Sequence, residues 1–421
     1  MREKNLKPIL ITILGILFIN YNAVAQQPDS TVNKGADFGG PDQVDNQIRE
    51  DNDAKNTFFE LRFIQPYFNF KDTLQKKTGF SYGLDYSAAY ISASSSLDHT
   101  DAGSGMVRLY ASWNLINRGQ PNSGALIFKV ENRHKYGAIS PKSLGFEMGY
   151  VGMELPPFND DKFRLTNFYW RQRFMKGKIS LVAGLLDVTD YLDVYALTSP
   201  WTGFMNFAFS TGSEIIYLPN DAALGIAFGA YLSRNIYIMS GISDAGSNPK
   251  EPWNNFESFF SNHNYLTTVE LGWVSSQDRF ILDNIHITYW HSDGSNVTAS
   301  LPGWGLAFSG TWYFGEKWLP FIRGGFSNDG GTLLQKSLST GFGFQPEPGG
   351  SVLGFGFNWG EPNETTFSEG LKDQYTFELY YRVQVSSKIA ITPDVQFLLD
   401  PALNPDESSI FIWGLRGRLV L

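Results

Sequence analysis

The sequence predicts an all-β chain that folds as a transmembrane antiparallel up-and-down β-barrel of about sixteen strands. Three observations indicate this fold. Apolar and polar residues alternate over segments of about ten residues along most of the chain. Aromatic residues concentrate near the ends of these segments, where a membrane protein meets the bilayer interface. Long and short connections alternate from one segment to the next, as they do between the two ends of an outer-membrane barrel.

The N-terminus has the pattern of a secretory signal peptide, which we assign to residues 1–25. Arg2, Lys4 and Lys7 supply the positive region, and an apolar run follows from Pro8 to Phe18. Ala23-Val24-Ala25 is a small-residue cleavage motif, so we expect cleavage after Ala25. The alternative is a membrane anchor, but the apolar run is shorter than the ~20 residues that a spanning helix needs.

Residues 26–78 are predicted to form an N-terminal periplasmic segment that is partly flexible. Gln26–Asn56 is polar and acidic, whereas Phe58–Phe70 is amphipathic and fits neither the helical nor the strand period well. Two interpretations remain open: the segment packs on the mouth of the barrel, or it is a linker with one extra strand.

Residues 79–421 are predicted to form the barrel. Its strands are identified by alternation between turn-forming residues. The predicted strands are 79–92, 105–115, 124–136, 163–174, 178–187, 222–231, 235–243, 264–274, 280–291, 303–313, 318–327, 337–344, 351–360, 374–385, 388–399 and 409–421.

The predicted connections separate into two groups, although the margin between Ile116–Ser123 and Asn328–Lys336 is small. The two longest are Gly137–Lys162 and Val188–Asp221, both in the group expected on the outer side. In a soluble sandwich the apolar faces would point inward, whereas in a membrane barrel they point to lipid. The aromatic residues expected at the interfaces are Tyr82, Tyr90, Trp113, Trp170, Trp273, Trp290, Trp312, Trp318, Trp359 and Trp413.

Composition excludes several functions. The chain has 33 Lys and Arg against 42 Asp and Glu, which argues against a nucleic-acid partner. It has no cysteine, so disulfides, thiolate metal sites and a cysteine nucleophile are excluded. His286 and His291 lie five positions apart on one predicted strand and face opposite sides, so they cannot share a metal. We predict no enzyme activity, no cofactor and no metal.

Several segments resemble the carbohydrate-selective porins of the OprB family. The resemblance is carried by "TPDVQFLLDP" after "ELYYRVQVSSKIAI" (from Glu378), by "SVLGFGFNWG" (from Ser351), and more weakly by "VAGLLDVTDY" (from Val182) followed by "FMNFAFS" (from Phe204). It spans roughly residues 79–421. The chain departs from the family at Leu421, where a terminal Phe is usual.

The resemblance implies a porin-like, sixteen-stranded outer-membrane barrel that passes monosaccharides passively. It also implies inward-folded second and third outer loops, corresponding here to residues 137–162 and 188–221. Lumen-facing positions supply an Arg-rich lining of mixed sign, which favours neutral polar solutes over anions. The residues that we expect at the constriction are Arg108, Glu131, Arg133, Arg171, Arg173, Trp201, Glu378, Arg382, Asp394, Gln396, Arg416 and Arg418. The other interpretation of these charges is that they only stabilise the barrel wall.

The predicted function is passive conduction of monosaccharides or similar small neutral solutes across the bacterial outer membrane. The alternatives are a general diffusion porin with little selectivity and a structural or adhesive envelope barrel with a blocked lumen. Expected partners are a small carbohydrate, outer-membrane lipid, the barrel-assembly machinery during insertion and a homotrimer.

Overall fold

A computed structural model describes residues 38–421, so the predicted signal peptide lies outside the described residues. The described chain contains sixteen β-strands. Their bounds are β1 Phe80–Ala93, β2 Asp101–Ile116, β3 Gly124–Lys135, β4 Lys162–Phe174, β5 Ile179–Leu186, β6 Ala223–Tyr231, β7 Ile236–Asp244, β8 Tyr265–Val274, β9 Asn284–Ser292, β10 Gly303–Thr311, β11 Trp318–Asp329, β12 Leu334–Phe344, β13 Val352–Pro362, β14 Gln374–Ser386, β15 Ile389–Leu399 and β16 Ser409–Val420.

The strands form one closed antiparallel barrel in which each strand pairs with its neighbours in sequence. The barrel closes between β1 and β16, where Tyr86 lies opposite Leu419 and Ala89 lies opposite Arg416. Closure pairs the backbone groups of both terminal strands, which removes the exposed edge that an open sheet would carry. The predicted fold is therefore confirmed, including the number of strands.

The largest differences from the predicted strand boundaries lie at the starts of β2, β9 and β12. β2 begins at Asp101 rather than at 105. β9 begins at Asn284 rather than at 280, because a short helical turn at Gln277–Arg279 precedes it. β11 and β12 are longer than predicted and leave only residues 330–333 between them. Pro393 lies inside β15, where its missing N–H predicts a bulge or local kink. It causes no register shift, because Tyr380 pairs with Asp394 and Val383 with Ile391 in one continuous register. The bulge between β14 and β15 lies instead at Gln384–Ser386.

The outward face is apolar and is bordered by aromatic residues. At the end that carries the turns after even-numbered strands, which we call the short-turn end, the Trp273 and Trp312 rings stack 5.7 Å apart. At the opposite, long-loop end, Tyr90 and Trp413 lie 5.4 Å apart. The prediction of an interface position was wrong for Trp290, which is fully buried on the inner face. It packs there against a loop that folds into the barrel.

Two long loops and an N-terminal segment fill much of the lumen. The second long loop (residues 136–161) and the third (residues 187–222) contribute buried apolar side chains that pack on the inner wall. Examples are Leu155 and Met205, which cluster with Ile91, Ile410 and Ile412 of the wall. The inner wall thus carries apolar side chains where these loops pack on it.

The segment before β1 forms two helices. The lumen helix, Val44–Asn52, buries Val44 and Ile48 inside the barrel. The rim helix, Gln65–Thr78, lies outside the wall at the short-turn end, where its Lys71 is 4.8 Å from the centre of the outward-facing Tyr82 ring. Gly79 ends this helix in the left-handed conformation that favours glycine. Among the described residues, no helix has both the length and the apolar character needed to cross a bilayer.

The outward face gives a direct test of membrane embedding. Ile287 on β9 and Val297 in the loop before β10 are 59% and 61% exposed. We expect Ile287→Arg to destabilise the barrel in phospholipid vesicles by about 2–4 kcal/mol, because Ile287 faces hydrocarbon. Val297→Arg is the matched control and should change stability by less than about 0.5 kcal/mol. Denaturant unfolding in vesicles measures both, and equal effects would contradict an embedded outward face.

Candidate solute pathway

A cavity of about 150 Å³ lies at the long-loop end, between the second and third long loops and the wall. We call it the outer cavity. Its lining combines cationic, anionic, hydroxyl and apolar groups. The lining includes Asp42, Arg133, Lys142, Pro156, Asn159, Asp161, Arg164, Asp187, Thr198, Trp201, Phe207, Ser210 and Asp221.

A larger cavity of about 420 Å³, the inner cavity, lies at the short-turn end. It is bounded by the N-terminal segment, by the tip of the third long loop and by the wall. Its lining includes Pro41, Asn46, Arg49, Glu50, Asp53, Lys55, Leu197, Thr202, Tyr313, Lys317 and Arg382. A small polar cleft of about 30 Å³ adjoins it and is lined by Trp201, Thr202, Arg382, Arg416 and Arg418 among others.

The tip of the third long loop and the N-terminal segment meet between these cavities. Trp201 lines both the outer cavity and the polar cleft, and Thr202 lines both the cleft and the inner cavity. The Ser199 hydroxyl donates to Asp42 Oδ1 over 2.7 Å and joins the two segments. Burial raises the pKa of Asp42 to about 6. This contact, which we call the neck, therefore lies between the two cavities.

The charges beside the outer cavity are organised around Asp221. Its carboxylate is 2.6 Å from Arg164 and 3.3 Å from Arg133. Arg133 also donates to Glu131 over 2.7 Å. Burial alone would raise the pKa of Asp221, but the two guanidinium groups hold it below its ordinary value. The outer cavity therefore presents ion pairs rather than a field of one sign.

Several of the residues predicted for the constriction hold the inserted loops instead of lining the outer cavity. Glu378 accepts hydrogen bonds from the Met205 and Asn206 backbone N–H groups, at 2.6 and 3.0 Å. Arg416 donates to the carbonyl groups of Pro200 and Gly203, both at 2.7 Å. These bonds tie the third long loop to β14 and β16.

The second long loop is held in a similar way by β15. Gln396 donates to Glu154 over 2.7 Å and to the neighbouring Asp394 over 3.2 Å. Burial raises the pKa of Glu154 to about 8, and the nearby Asp394 carboxylate adds to this effect. The predicted residue Gln396 therefore anchors the second long loop, and Asp394 supports Gln396 from the same strand.

The remaining predicted arginines lie along the wall. Arg108 pairs with Asp85, and its guanidinium carbon lies 4.5 Å from the centre of the Trp201 ring. Arg171 and Arg418 pair with Asp45 and Asp51 of the lumen helix. Arg382 lies 3.6 Å from Glu50, and Arg173 is half-buried near the short-turn end of β4. Of the twelve predicted residues, Arg133 and Trp201 line the outer cavity.

Arg164 was missed because alternation places it on the outward face of β4, opposite to Arg171. The structure contains a β-bulge here: Asn167 pairs with Lys129 and Leu165 with Val130, which leaves Thr166 extra. A bulge reverses which residues face inward beyond it. Lys142 and Asp221 were missed because they lie in connections, and Asp42 because it lies in the segment before β1; alternation gives no information at any of these positions. The sequence shows that Arg133 and Asp221 are charged, but it does not show that the fold places them in contact.

The two inserted loops are also joined to each other. Glu214 of the third long loop is buried, and its Oε1 accepts a hydrogen bond from the Met153 backbone N–H over 2.6 Å. Burial raises the pKa of Glu214 to about 8, and the hydrogen bond opposes this only in part. A largely neutral carboxyl group therefore joins the loops near neutral pH.

A closed sixteen-stranded antiparallel barrel with loops folded into its lumen defines the porin class of channel proteins. The family model for carbohydrate-selective porins of the OprB family matches residues 109–303 and 316–421. The chain belongs to this family and is a channel rather than an enzyme. The search of curated proteins found no match.

Solved porin structures share the fold at low sequence identity. The high-pH structure of OprB from Pseudomonas putida has a TM-score of 0.66 and 13% identity, and the match covers 84% of this chain and 97% of that chain. The low-pH structure of the same porin has a TM-score of 0.52 and 12% identity, with 84% and 96% covered. A mutant of Rh. blastica porin has a TM-score of 0.52 and 8% identity, with 81% and 100% covered.

The raised pKa of Glu214 predicts a pH-dependent stability. The pKa is about 8 when the loops are packed, against 4.5 ordinarily, so packing favours the protonated carboxyl. This stabilisation is complete below pH 4.5 and is lost as the pH rises towards 8. Glu214→Gln keeps an acceptor for Met153 and cannot ionise. We therefore expect the variant and the parent to have similar Tm at pH 4 and the variant to have the higher Tm at pH 9.

The matched control for this comparison is Glu369→Gln, which changes an exposed carboxylate in the loop before β14. It should leave the pH profile of the Tm unchanged. A parallel profile for Glu214→Gln and the parent would contradict a buried, proton-binding Glu214.

Proposed function

We propose that this porin passively conducts monosaccharides or similar small neutral solutes, which enter the outer cavity and pass the neck at Asp42, Ser199 and Trp201. The observation that carries the proposal is the paired, mixed-sign lining of the outer cavity. Arg133 and Arg164 share Asp221, while Lys142 and Asp161 line the same cavity. An anion pore would need cations without these acids, and a cation pore would need the reverse.

The lining suits hydroxyl groups. A sugar hydroxyl both donates and accepts, so it can bond to a guanidinium and to a carboxylate at the same time. Hydrogen bonds to ionised groups are stronger than those between neutral groups. The Ser199 and Thr198 hydroxyls add uncharged partners at the neck. A neutral polyhydroxyl solute can therefore exchange water for these groups without bringing a counter-charge.

Trp201 supports discrimination by size and shape. One face of its ring is covered by Arg108, and the residue reaches both the outer cavity and the polar cleft. Its indole N–H is buried and makes no hydrogen bond within the part of the chain that the structure describes. Aromatic rings cover the C–H faces of sugars, and an indole N–H donates to a hydroxyl. We assign Trp201 to contact the solute at the neck.

The same proposal places the barrel in the outer membrane, with lipid against the apolar outward face. Cleavage after Ala25, use of the assembly machinery and a homotrimer remain predictions from the sequence. The proposed mechanism needs no cofactor, because diffusion down a gradient through a fixed path requires only that solute groups replace water along the lining.

The first test is swelling of liposomes that contain the refolded chain from Gln26 to Leu421. We expect rapid entry of glucose and slow entry of a disaccharide and of an amino acid similar in size to glucose. Equal entry of all three solutes would replace the proposal with a general diffusion porin. The absence of swelling from a folded barrel would favour a structural barrel with a blocked lumen.

The role of Trp201 gives a more specific prediction. Trp201→Ala removes the ring at the neck, so we expect disaccharide entry to increase several-fold relative to glucose entry. Trp312→Ala is the matched control, because Trp312 lies in the outward aromatic girdle and stacks on Trp273. Unchanged relative rates in Trp201→Ala would contradict the assignment of Trp201 to the solute path.

A further inference from the structure

The segment Phe38–Asp53, which contains the lumen helix, lies inside the barrel at the short-turn end. It precedes residue 109, where the match to the family model begins. The segment enters beside β6 and β7, where Phe38 packs against Tyr231 at 4.7 Å between ring centres. The Gly40 N–H then donates to the Asp190 carbonyl of the third long loop over 2.7 Å. The segment therefore contacts both the wall and a loop that forms the neck.

The inner wall carries an apolar patch that matches the lumen helix. Val44 and Ile48 are buried against a cluster that includes inward-facing residues of β2, β3 and β4, namely Tyr110, Ala125, Ile127 and Tyr169. Apolar side chains on a water-filled lumen would be unfavourable, because the interior of a porin is otherwise polar. The patch is thus explained by a helix that stays packed on it.

The acids of the helix pair with arginines of the wall. Asp45 pairs with Arg171, and Asp51 accepts from Arg418 at 2.9 and 3.2 Å. Glu50 lies 3.6 Å from Arg382. These three acids therefore place negative charge beside the arginines that β4, β14 and β16 direct into the lumen.

The helix also binds the wall through its backbone and through a tyrosine hydroxyl. The Lys388 ammonium donates to the Asp51 carbonyl over 2.5 Å, and the Tyr110 hydroxyl donates to the Asp51 carboxylate. Asn46 donates to the Gly39 and Gly40 carbonyls at 3.0 and 2.9 Å, which folds the entering chain onto the helix. The contacts of Asp51 therefore tie the C-terminal end of the helix to the wall, and those of Asn46 brace its N-terminal end within the segment.

The segment forms part of the pathway itself. Asp42 lines the outer cavity, and Pro41, Asn46, Arg49, Glu50 and Asp53 line the inner cavity. A helix with its side chains is about 10–12 Å across, and a barrel of sixteen strands without such filling leaves an aqueous channel. The helix therefore occupies space that would otherwise conduct.

We propose that Phe38–Asp53 is a resident selectivity plug, which narrows the inner half of the pore and neutralises the arginines of the wall. The proposal deepens the proposed function and rests on it for the solute. The plug narrows the pore to the size of a single small solute molecule. It also removes the preference for anions that the pore would otherwise have. Without the plug, Arg171 and Arg382 would face a wider lumen, and Arg418 would keep only Asp85 of β1, 2.7 Å away, as its acidic partner. The excess of guanidinium groups would then attract anions.

The test is the single-channel conductance and the chloride-to-potassium permeability ratio in planar bilayers. Deletion of Gln26–Asp53 should increase the conductance several-fold and shift the ratio towards chloride. Val44→Asn with Ile48→Asn in the full chain should do the same, because unpaired amide groups cannot pack on the apolar patch and the charge of the segment is unchanged. Heat-modifiable migration confirms that each barrel is folded.

Substitution of a single charged residue separates the two proposed roles of the plug, which are to narrow the pore and to neutralise the arginines of the wall. Asp51→Asn removes one acid but keeps its size, so it should shift the ratio towards chloride with little change in conductance. Asp72→Asn, on the exposed face of the rim helix, is the matched control and should change neither quantity. Folded deletion and double variants with the conductance and the ratio of the parent would overturn the proposal.

The test of the plug does not depend on whether the conducted solute is a sugar. If the variants widen the pore and favour chloride while liposome swelling shows no preference for glucose, the proposed solute is wrong and the plug stands. If the parent prefers glucose and the deletion variant keeps the same preference and conductance, the plug is wrong and the proposed function stands.

Discussion

The structure depends on how cations on the inner wall are neutralised. Arg108, Arg323 and Arg416 are almost completely buried, although they project into what would be an aqueous lumen. An unpaired buried charge costs several kcal/mol, so each needs close partners. Asp85 on the wall pairs with Arg108. The other partners come from the third long loop: Arg323 donates to the Asp193 carboxylate over 2.6 Å, and Arg416 to two backbone carbonyls.

This requirement links the wall, the loops and the N-terminal segment into one system. Asp193 also lies 2.8 Å from His286, so one carboxylate of the loop holds two strands. Lys129 of β3 lies 3.3 Å from Asp190 in the same loop. Removing an inserted segment would therefore leave charges without partners on several strands at once. The segments that fill the lumen consequently stabilise the barrel in addition to the strand pairing.

The sequence predicted the barrel well because strand alternation is a local pattern that lipid imposes on every strand. It predicted inward-facing charges correctly on β14, where Glu378 and Arg382 face the lumen. It could not predict their partners, since Glu378 binds backbone N–H groups more than 170 residues away in the chain. The apolar inward residues Ile127, Ile410 and Ile412 were a usable signal, because they break the polar pattern where a helix or loop packs.

The division of roles among the predicted residues has a physical consequence for selectivity. Wall arginines whose donors are occupied by loop carbonyls, as Arg416 is by Pro200 and Gly203, have fewer donors to offer a solute. The groups that line the cavities come largely from the inserted segments, with Asp42, Asp221 and Trp201 as examples. In our proposal the barrel therefore supplies a charged support, and the segments folded onto it decide which solute passes. Differences in loop and N-terminal sequence can then change selectivity while the strands and their arginines stay the same.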